Sequence, residues 1–291
     1  MCLLQGLLTL GYRKLVVCHL NHQLRGAASR ADENFLHRQT SRLGLPLELE
    51  RTDTRKFAAD RKISLETAGR ELRYAFFFEV AKRTRCSTLL LGHHADDQLE
   101  TCWLNFLRGT GIAGLAGMRR ESIYKANKRS LHVIRPLLRI FRWEIIQFVS
   151  DQKIPFREDI TNTDVSFTRN RIRHELLPFV DQKFGITHRE AALRCAEILA
   201  DEEDWMRASV DQFPYGPQLF YKELLILPLA LQRRVLRRWL VQEGVPEVGF
   251  AEVERVRSLM SNSPSRPAKI NLPANIHVRR RTGILFLEKA I

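Results

Sequence analysis

Apolar positions in the first part of the chain alternate between two periods. Residues 15–20 (LVVCHL) form an unbroken apolar run of strand length, and residues 47–50 begin a second. Residues 88–92 (TLLLG) form a third, stopped by a glycine. Such runs predict strands buried on both faces. Between them the period is helical. Residues 1–10 place leucines on one face. Residues 29–43 carry Phe35, Leu36 and Leu43 inward, with Ser29 as N-cap. Residues 64–84 carry Leu65, Leu72, Phe76 and Val80, and from Ala95 onward Leu99, Cys102, Trp103, Phe106 and Leu107 share a face. Strand and helix in regular alternation predict an α/β fold with a parallel, doubly wound sheet.

Beyond Met118 the pattern weakens. Residues 119–130 are charged and read as a loop, 132–137 as a strand closed by Pro136, 141–152 as a helix and 154–162 as an extended connection. A helix capped by Thr168 follows, carrying Arg169, Asn170 and Arg173 on one side. From residue 187 the chain turns mainly helical: residues 191–210, 221–243 and 250–261 are amphipathic, and the second of these sets four arginines around a buried stripe. Residues 268–272, 276–281 and 284–288 read as short antiparallel strands with Gly283 in a turn. The expected division is a domain at residues 1–185 and a second, mainly helical one at 186–291.

Charge sharpens this division. The net charge of +14 is uneven: residues 1–185 hold 31 Lys and Arg against 20 Asp and Glu, whereas residues 186–291 hold 16 against 13. Arginine far outnumbers lysine, which suits bidentate phosphate recognition. A basic enzyme of this kind is expected to meet a polyanion. The five cysteines are scattered with no C-x-x-C pair, no apolar run reaches 18 residues, and residues 1–10 lack the features of a signal peptide. A reduced, cytoplasmic protein with no membrane partner is expected.

Chemistry concentrates where the third strand ends. His93, His94, Asp96, Asp97, Gln98, Glu100 and Thr101 fall within nine residues at the carboxyl end of that strand, where open α/β sheets bind ligands. Asp97 and Glu100 are three apart on the first helical turn and can point the same way. Arg108, Gly109, Thr110 and Gly111 make a basic, flexible exit from the helix. Two acids and an arginine beside backbone donors suit a magnesium nucleotide and an amine. A transition-metal site on the two histidines and two aspartates, and simple capping by Asp96 or Asp97, are the competing readings of the same residues. A second polar loop, Asn21, His22 and Gln23 through Arg25 and Gly26, follows the first strand.

Five blocks carry a resemblance: LNHQLRG (20–26), SLETAGRELRY (64–74), LGHHADDQLET (91–101), LRGTG (107–111) and TRNRIRHELLP (168–178). In this order they resemble the bacterial tRNA(Ile)-lysidine synthetase family, N-type ATP pyrophosphatases of the PP-loop class. Residues 187–291 resemble the family's substrate-binding domain more loosely. The resemblance implies ATP with Mg²⁺, free lysine and a tRNA(Ile) with a CAU anticodon as reactants. ATP would adenylate C2 of the wobble cytidine and lysine would displace AMP. Asp97, Glu100 and Arg108 would be catalytic, the two acids also holding the lysine ammonium. Asn21, His22, Arg25, His93, Asp96, Gly109, Thr110 and Gly111 would line the ATP site. Arg169, Asn170, Arg171, Arg173, Arg233 and Arg237 would meet the tRNA, with no metal ligands proper. A homodimer is compatible with this reading.

One departure sets a further expectation. The family's phosphate-gripping Ser-Gly-Gly-x-Asp-Ser loop has no counterpart in these residues, because the chain opens at Met1-Cys2-Leu3-Leu4, already inside a helix. A start assigned too late or a fragment is expected, and with it weak ATP binding by residues 1–291 alone. The alternatives are a catalytically inactive tRNA-binding relative, another PP-loop tRNA-modifying enzyme such as a 2-thiolation enzyme, and a metal-dependent hydrolase built on His93, His94, Asp96 and Asp97.

Overall fold

The computed structural model describes residues 1–126, 129–157, 168–261 and 267–289. The chain divides into two compact units, Met1–Ala200 and Asp201–Ile291.

The first unit opens with α1 (Cys2–Thr9), β1 (Val17–Asn21), α2 (Ala27–Leu43) and β2 (Leu47–Arg51), and β1 and β2 pair in parallel. α3 (Thr54–Arg61), capped by Asp53, and α4 (Leu65–Thr84), capped by Ser64, lead to β3 (Thr88–Leu90). α5 (Ala95–Leu107) and the short α6 (Ile112–Leu115) follow, then β4 (Glu121–Ala126) and β5 (Arg129–Ile134). β3 pairs in parallel with β5, and β4 antiparallel with β5. Among the described residues β1 and β3 share no ladder, yet their side chains meet in one core. Leu20 of β1 packs with Tyr74, Phe76, Phe77 and Val80 of α4 and with Leu131 and Val133 of β5, against Leu89 and Leu91.

α7 (Arg142–Asp151) is followed by α8 (Thr168–Arg171), a wide π-turn over Ile172–Leu176, and α9 (Leu177–Phe184). The π-turn has a local cause. Pro178 has no N–H, and its ring opposes the carbonyl four residues earlier. Instead, the Leu177 N–H reaches five residues back to the Ile172 carbonyl. A second core binds this segment to α5 through Leu99, Leu104, Ile172 and Leu177. α10 (Thr187–Asp211) gives its residues up to Ala200 to the first unit and the rest to the second.

The second unit holds β6 (Gln218–Phe220), α11 (Tyr221–Leu225), α12 (Leu229–Gln242), α13 (Phe250–Ser258), β7 (Lys269–Leu272), β8 (Ile276–Arg281) and β9 (Ile284–Lys289). Its four-stranded antiparallel sheet runs β6-β9-β8-β7. The buried stripe of α12 (Gln232, Val235, Leu236, Trp239, Leu240) is the one expected from sequence, and it packs with Val253 and Val256 of α13 and Val278 and Leu285 of the sheet. Thr282 and Gly283 both have positive φ in the β8–β9 turn, which is what a tight two-residue hairpin requires.

Several boundaries differ from expectation. Ser29 is not a cap but lies inside α2, buried with Glu33 and Thr40, while Gly26 occupies the cap position. The charged stretch expected as a loop at residues 119–130 contains β4, whose backbone finds its partners in β5. The helix expected at residues 221–243 is two, broken ahead of Pro228. Of the connection expected at residues 154–162, residues 158–162 lie outside the described residues.

Candidate active site

The carboxyl ends of β1, β3 and β5 and the first turn of α5 gather the polar side chains. α5 begins at a self-capped turn: the His94 N–H donates to Asp97 Oδ2 at 3.0 Å, placing a carboxylate at the positive end of the helix. The Asp97 carbonyl accepts from Thr101 Oγ1 at 2.7 Å. Glu100, one turn on, has no solvent exposure at all.

That burial is possible because two arginines meet the carboxylate. Arg173 donates from Nε to Glu100 Oε1 at 2.6 Å and from Nη2 to Oε2 at 3.0 Å. Arg169 donates from Nε to Oε2 at 2.8 Å. Both Nη2 groups then reach Asp97 Oδ1, each at 3.4 Å. Burial opposes charge on Arg173, but its bonds to Glu100 and the nearby Asp97 and Asp96 raise its pKa. An isolated buried charge would be untenable; a carboxylate filled by two guanidinium groups is not. The two acids and two of the arginines singled out from sequence thus form one cluster. Within it Arg169 and Arg173 are occupied by acids, and Glu100 is wholly enclosed, so direct contact of Glu100 with a ligand is not available in this arrangement.

The remaining expected residues fall into two groups. In the first, protein groups already hold the side chain. Asp96 accepts from the Arg142 N–H at 2.8 Å and from Arg189 Nη1 at 2.5 Å. Burial works against its ionisation, but His94, the Arg142 amide and Arg189 hold its pKa down to about 2. Asn21 donates to Glu33 Oε1 at 2.5 Å and accepts from the Gln23 N–H, which shapes the loop after β1. Glu33, only 3% exposed, is gripped by Arg51 and held at about pKa 2 by those bonds and by Asn21, against the cost of burial. Arg25 donates to Asp32 at 2.8 Å. Arg233 donates to Glu254 at 2.8 Å and lies over the Phe250 ring.

The glycine exit is a correction of detail. Gly109 (φ +72°) closes α5 in a Schellman turn, its N–H donating to the Phe106 carbonyl and that of Thr110 to Asn105. These two amides, expected to face phosphates, are spent on the helix end. Gln98 then pins the following loop: its Nε2 donates to the Ala116 and Met118 carbonyls and its Oε1 accepts from the Met118 N–H at 2.7 Å.

The second group takes no part in these ion pairs. Arg108 is exposed, and among the described residues its guanidinium has no partner. Arg171 lines an apolar groove with Leu107, Ile172, Leu176 and Phe179. Arg237 is exposed on α12 with no partner among the described residues. Asn170 is half-buried beside Arg169. His93 has a buried Nδ1 with no hydrogen-bond partner among the described residues. Burial, reinforced by Arg135, Arg169 and Arg73 against the pull of Asp97, lowers its pKa to about 4, so the ring is neutral at pH 7.

Sequence reasoning gave no role to Arg73, Arg135 and Arg189. Arg135 directly follows β5 and is 6% exposed; its Nη1 donates to the Arg119 carbonyl and Ser122 Oγ, while its Nε has no partner among the described residues. No carboxylate faces it, and burial lowers its pKa. Arg73 reaches His22 Nε2 at 3.5 Å, while His22 Nδ1 bonds Thr54 Oγ1 at 2.9 Å. Burial, then Arg73 and His19, push His22 down to about pKa 4. The arginine of the Arg135-Pro136 strand end was the available signal; Arg189 carried none, since its partners come from two other helices. Among the described residues, no group of three His, Cys, Asp or Glu side chains is arranged to hold a metal ion. No described helix is long and apolar enough to cross a membrane.

The PP-loop domain family matches residues 1–180, and the TilS substrate binding domain family matches residues 221–286. A tRNA(Ile)-lysidine synthase of Geobacter sulfurreducens is 37% identical over 91% of this chain and 57% of its own length. One of Solibacter usitatus is 36% identical over 99% and 66%, and one of Chlorobaculum tepidum 30% over 91% and 80%. The chain therefore spans between a little over half and about two thirds of the first two relatives. A U34-tRNA thiolase, NcsA of Methanococcus maripaludis, solved with its [4Fe-4S] cluster, shares the fold with a TM-score of 0.53 at 13% identity, covering 69% of this chain and 68% of that one. With a PP-loop domain over residues 1–180, a TilS substrate binding domain behind it and relatives of one kind matched along almost its whole length, the chain belongs to the tRNA(Ile)-lysidine synthase family.

Proposed function

We propose that the protein ligates free lysine to C2 of the wobble cytidine in a tRNA(Ile) with a CAU anticodon, at the expense of ATP. The observation that carries this reading is the pairing of a partly exposed acid, Asp97, with the basic surroundings of His93, where Arg73, Arg135 and Arg169 converge. Asp97 is the acid that meets the lysine ammonium. Glu100, enclosed by Arg169 and Arg173, holds those arginines so that their Nη2 groups frame Asp97 without filling it. The 3.4 Å separations are longer than good charge-assisted hydrogen bonds, so an ammonium competes for Asp97 Oδ1 on favourable terms.

The nucleotide reads the other side. Magnesium ATP brings negative charge to the region around His93, where Arg73 and Arg135 present guanidinium groups with no facing carboxylate, and where His93 Nδ1 and Arg135 Nε are buried with no hydrogen-bond partner among the described residues. The C2 oxygen of the cytosine attacks the α-phosphorus and diphosphate leaves. The lysine ε-amine, having lost a proton, then attacks C2 and AMP departs with the former C2 oxygen. Fixed guanidinium groups stabilise the charge that develops at both steps. Arg171, Arg237 and the basic excess of residues 1–185 meet the tRNA backbone. Work in the cytoplasm and as a homodimer belongs to the same reading.

A direct test follows the phosphorus. With radiolabelled ATP, the full-length gene product is expected to release AMP only when the CAU transcript is present, and lysidine only when lysine is added. AMP release that ignores the tRNA would contradict the proposal.

A further inference from the structure

The first turn of α5 is held from a second direction. Arg189, at the start of α10, donates from Nη1 to Asp96 Oδ1 at 2.5 Å. Its other edge grips Asp181 of α9 in two parallel bonds, Nε to Oδ1 at 2.9 Å and Nη2 to Oδ2 at 2.6 Å. His188 Nε2 adds a contact of 2.7 Å to Asp181 Oδ1. The second Asp96 oxygen accepts from the Arg142 N–H where α7 begins. His94 lies 3.5 Å from both Asp96 and Asp97.

One guanidinium therefore ties three helices together, and the carboxylate it reaches is the immediate neighbour of Asp97. Its side chain is 22% exposed, as is that of Asp181, and Asp96 is 16% exposed. Solvated surface ion pairs are worth little. A bidentate, half-buried guanidinium between two carboxylates differs, because its geometry is fixed by the planar fork. One turn further along, α5 is fixed by Glu100 with Arg169 and Arg173. Asp96 and Glu100 are four residues apart and share a face of α5, so the two clamps act on successive turns of the helix that carries Asp97.

We infer that Arg189 is a positioning residue for the lysine-ligation step: through Asp96 it fixes the first turn of α5 and thereby aims Asp97 at the amine. The inference rests on the function proposed above. Arg189 itself touches no reactant. Misplacement of a reacting group by about 1 Å can cost on the order of a hundredfold in rate, so loosening this clamp should fall on lysine and not on tRNA.

The test uses the full-length gene product with Arg189→Gln, Asp96→Asn and the double variant. Steady-state kinetics would be measured separately for lysine and for the CAU transcript, with thermal melting alongside. Arg189→Gln is expected to lower kcat/KM for lysine about tenfold or more while KM for tRNA stays within about twofold. The double variant should be no worse than Arg189→Gln alone, because both break one contact. Should Arg189→Gln fail to fold, Asp96→Asn, which keeps an oxygen for the Arg142 N–H, must show the same lysine-selective loss. Folded variants with lysine kinetics within about twofold of the parent, or with KM for tRNA raised as much as kcat/KM for lysine falls, would overturn the assignment. A parent without lysine incorporation would instead bring down the functional reading, and this inference with it; the two failures are thus told apart.

Discussion

Arg173 holds Glu100 through two hydrogen bonds, of 2.6 and 3.0 Å, and the carboxylate so held has no contact with solvent. This pairing separates two acids that are three residues apart in sequence. Glu100 is fully enclosed, whereas Asp97 keeps 15% exposure and is, under the proposed function, the acid that meets the lysine.

The separation has a measurable consequence for stability. Glu100→Gln removes the charge that balances two partly buried guanidinium groups, and breaking a buried pair from one side costs about 3–5 kcal/mol. A marked fall in melting temperature is expected. Asp97→Asn keeps an oxygen for the His94 N–H, so its melting temperature should stay within a few degrees of the parent. Thermal unfolding of the two variants side by side checks this.

A second expectation concerns pH. His93 and His22 are both lowered to about 4 from an ordinary 6.5, so the unfolded chain binds more protons than the folded one in between. Their neutral forms are fully compatible with the fold above pH 6.5. Stability is therefore lost as pH falls from 6.5 towards 4, by up to about 1.4 kcal/mol per pH unit for each histidine. Both rings are partly solvated, so the observed slope should be smaller. Denaturant unfolding between pH 7 and 5 measures the slope, and His93→Gln should reduce it.

The loop after α5 tests the glycine assignment. Gly117 sits at φ +64°, and a Cβ there would come 2.7 Å from the Gln98 side chain that pins the loop. Gly117→Ala is expected to destabilise by about 1–3 kcal/mol, through strain and the displaced Gln98 bonds. Gly111→Ala, with open space around its Cβ and no positive φ, should be close to neutral. Denaturant midpoints of the two variants make the comparison.

On α12 the arginines should divide by their partners. Arg233 is tied to Glu254 and stacked on Phe250, whereas Arg237 is exposed with no partner among the described residues. Arg237→Ala is expected to weaken tRNA binding and to reduce the slope of log K against log salt by about one. Arg233→Ala should act mainly on melting temperature. Filter binding over a salt series distinguishes them.

What the sequence made legible follows from range. The strand at residues 88–90, the helix from Ala95 to Leu107 and the buried stripe of α12 depend on local periodicity, and they stand where the pattern put them. The crowding of His93, Asp96, Asp97 and Glu100 at a strand's end was likewise local. Less legible was which acid is buried, because the partners of Glu100 lie 69 and 73 residues away. The hairpin of β4 was hidden because an edge strand exposed to water has no need of apolar residues. The burial of Glu33, which hydropathy places on a surface, is explained only by Arg51 and Asn21 arriving from neighbouring strands.

The role of Asp97 is tested by incorporation of labelled lysine into a tRNA(Ile) transcript with a CAU anticodon, with ATP present, by the full-length gene product and by its Asp97→Asn variant. Incorporation is expected of the parent, and a loss on the order of a hundredfold or more in Asp97→Asn while the tRNA is still bound. Undiminished incorporation by Asp97→Asn, or none by a folded parent that binds the transcript, would contradict that expectation.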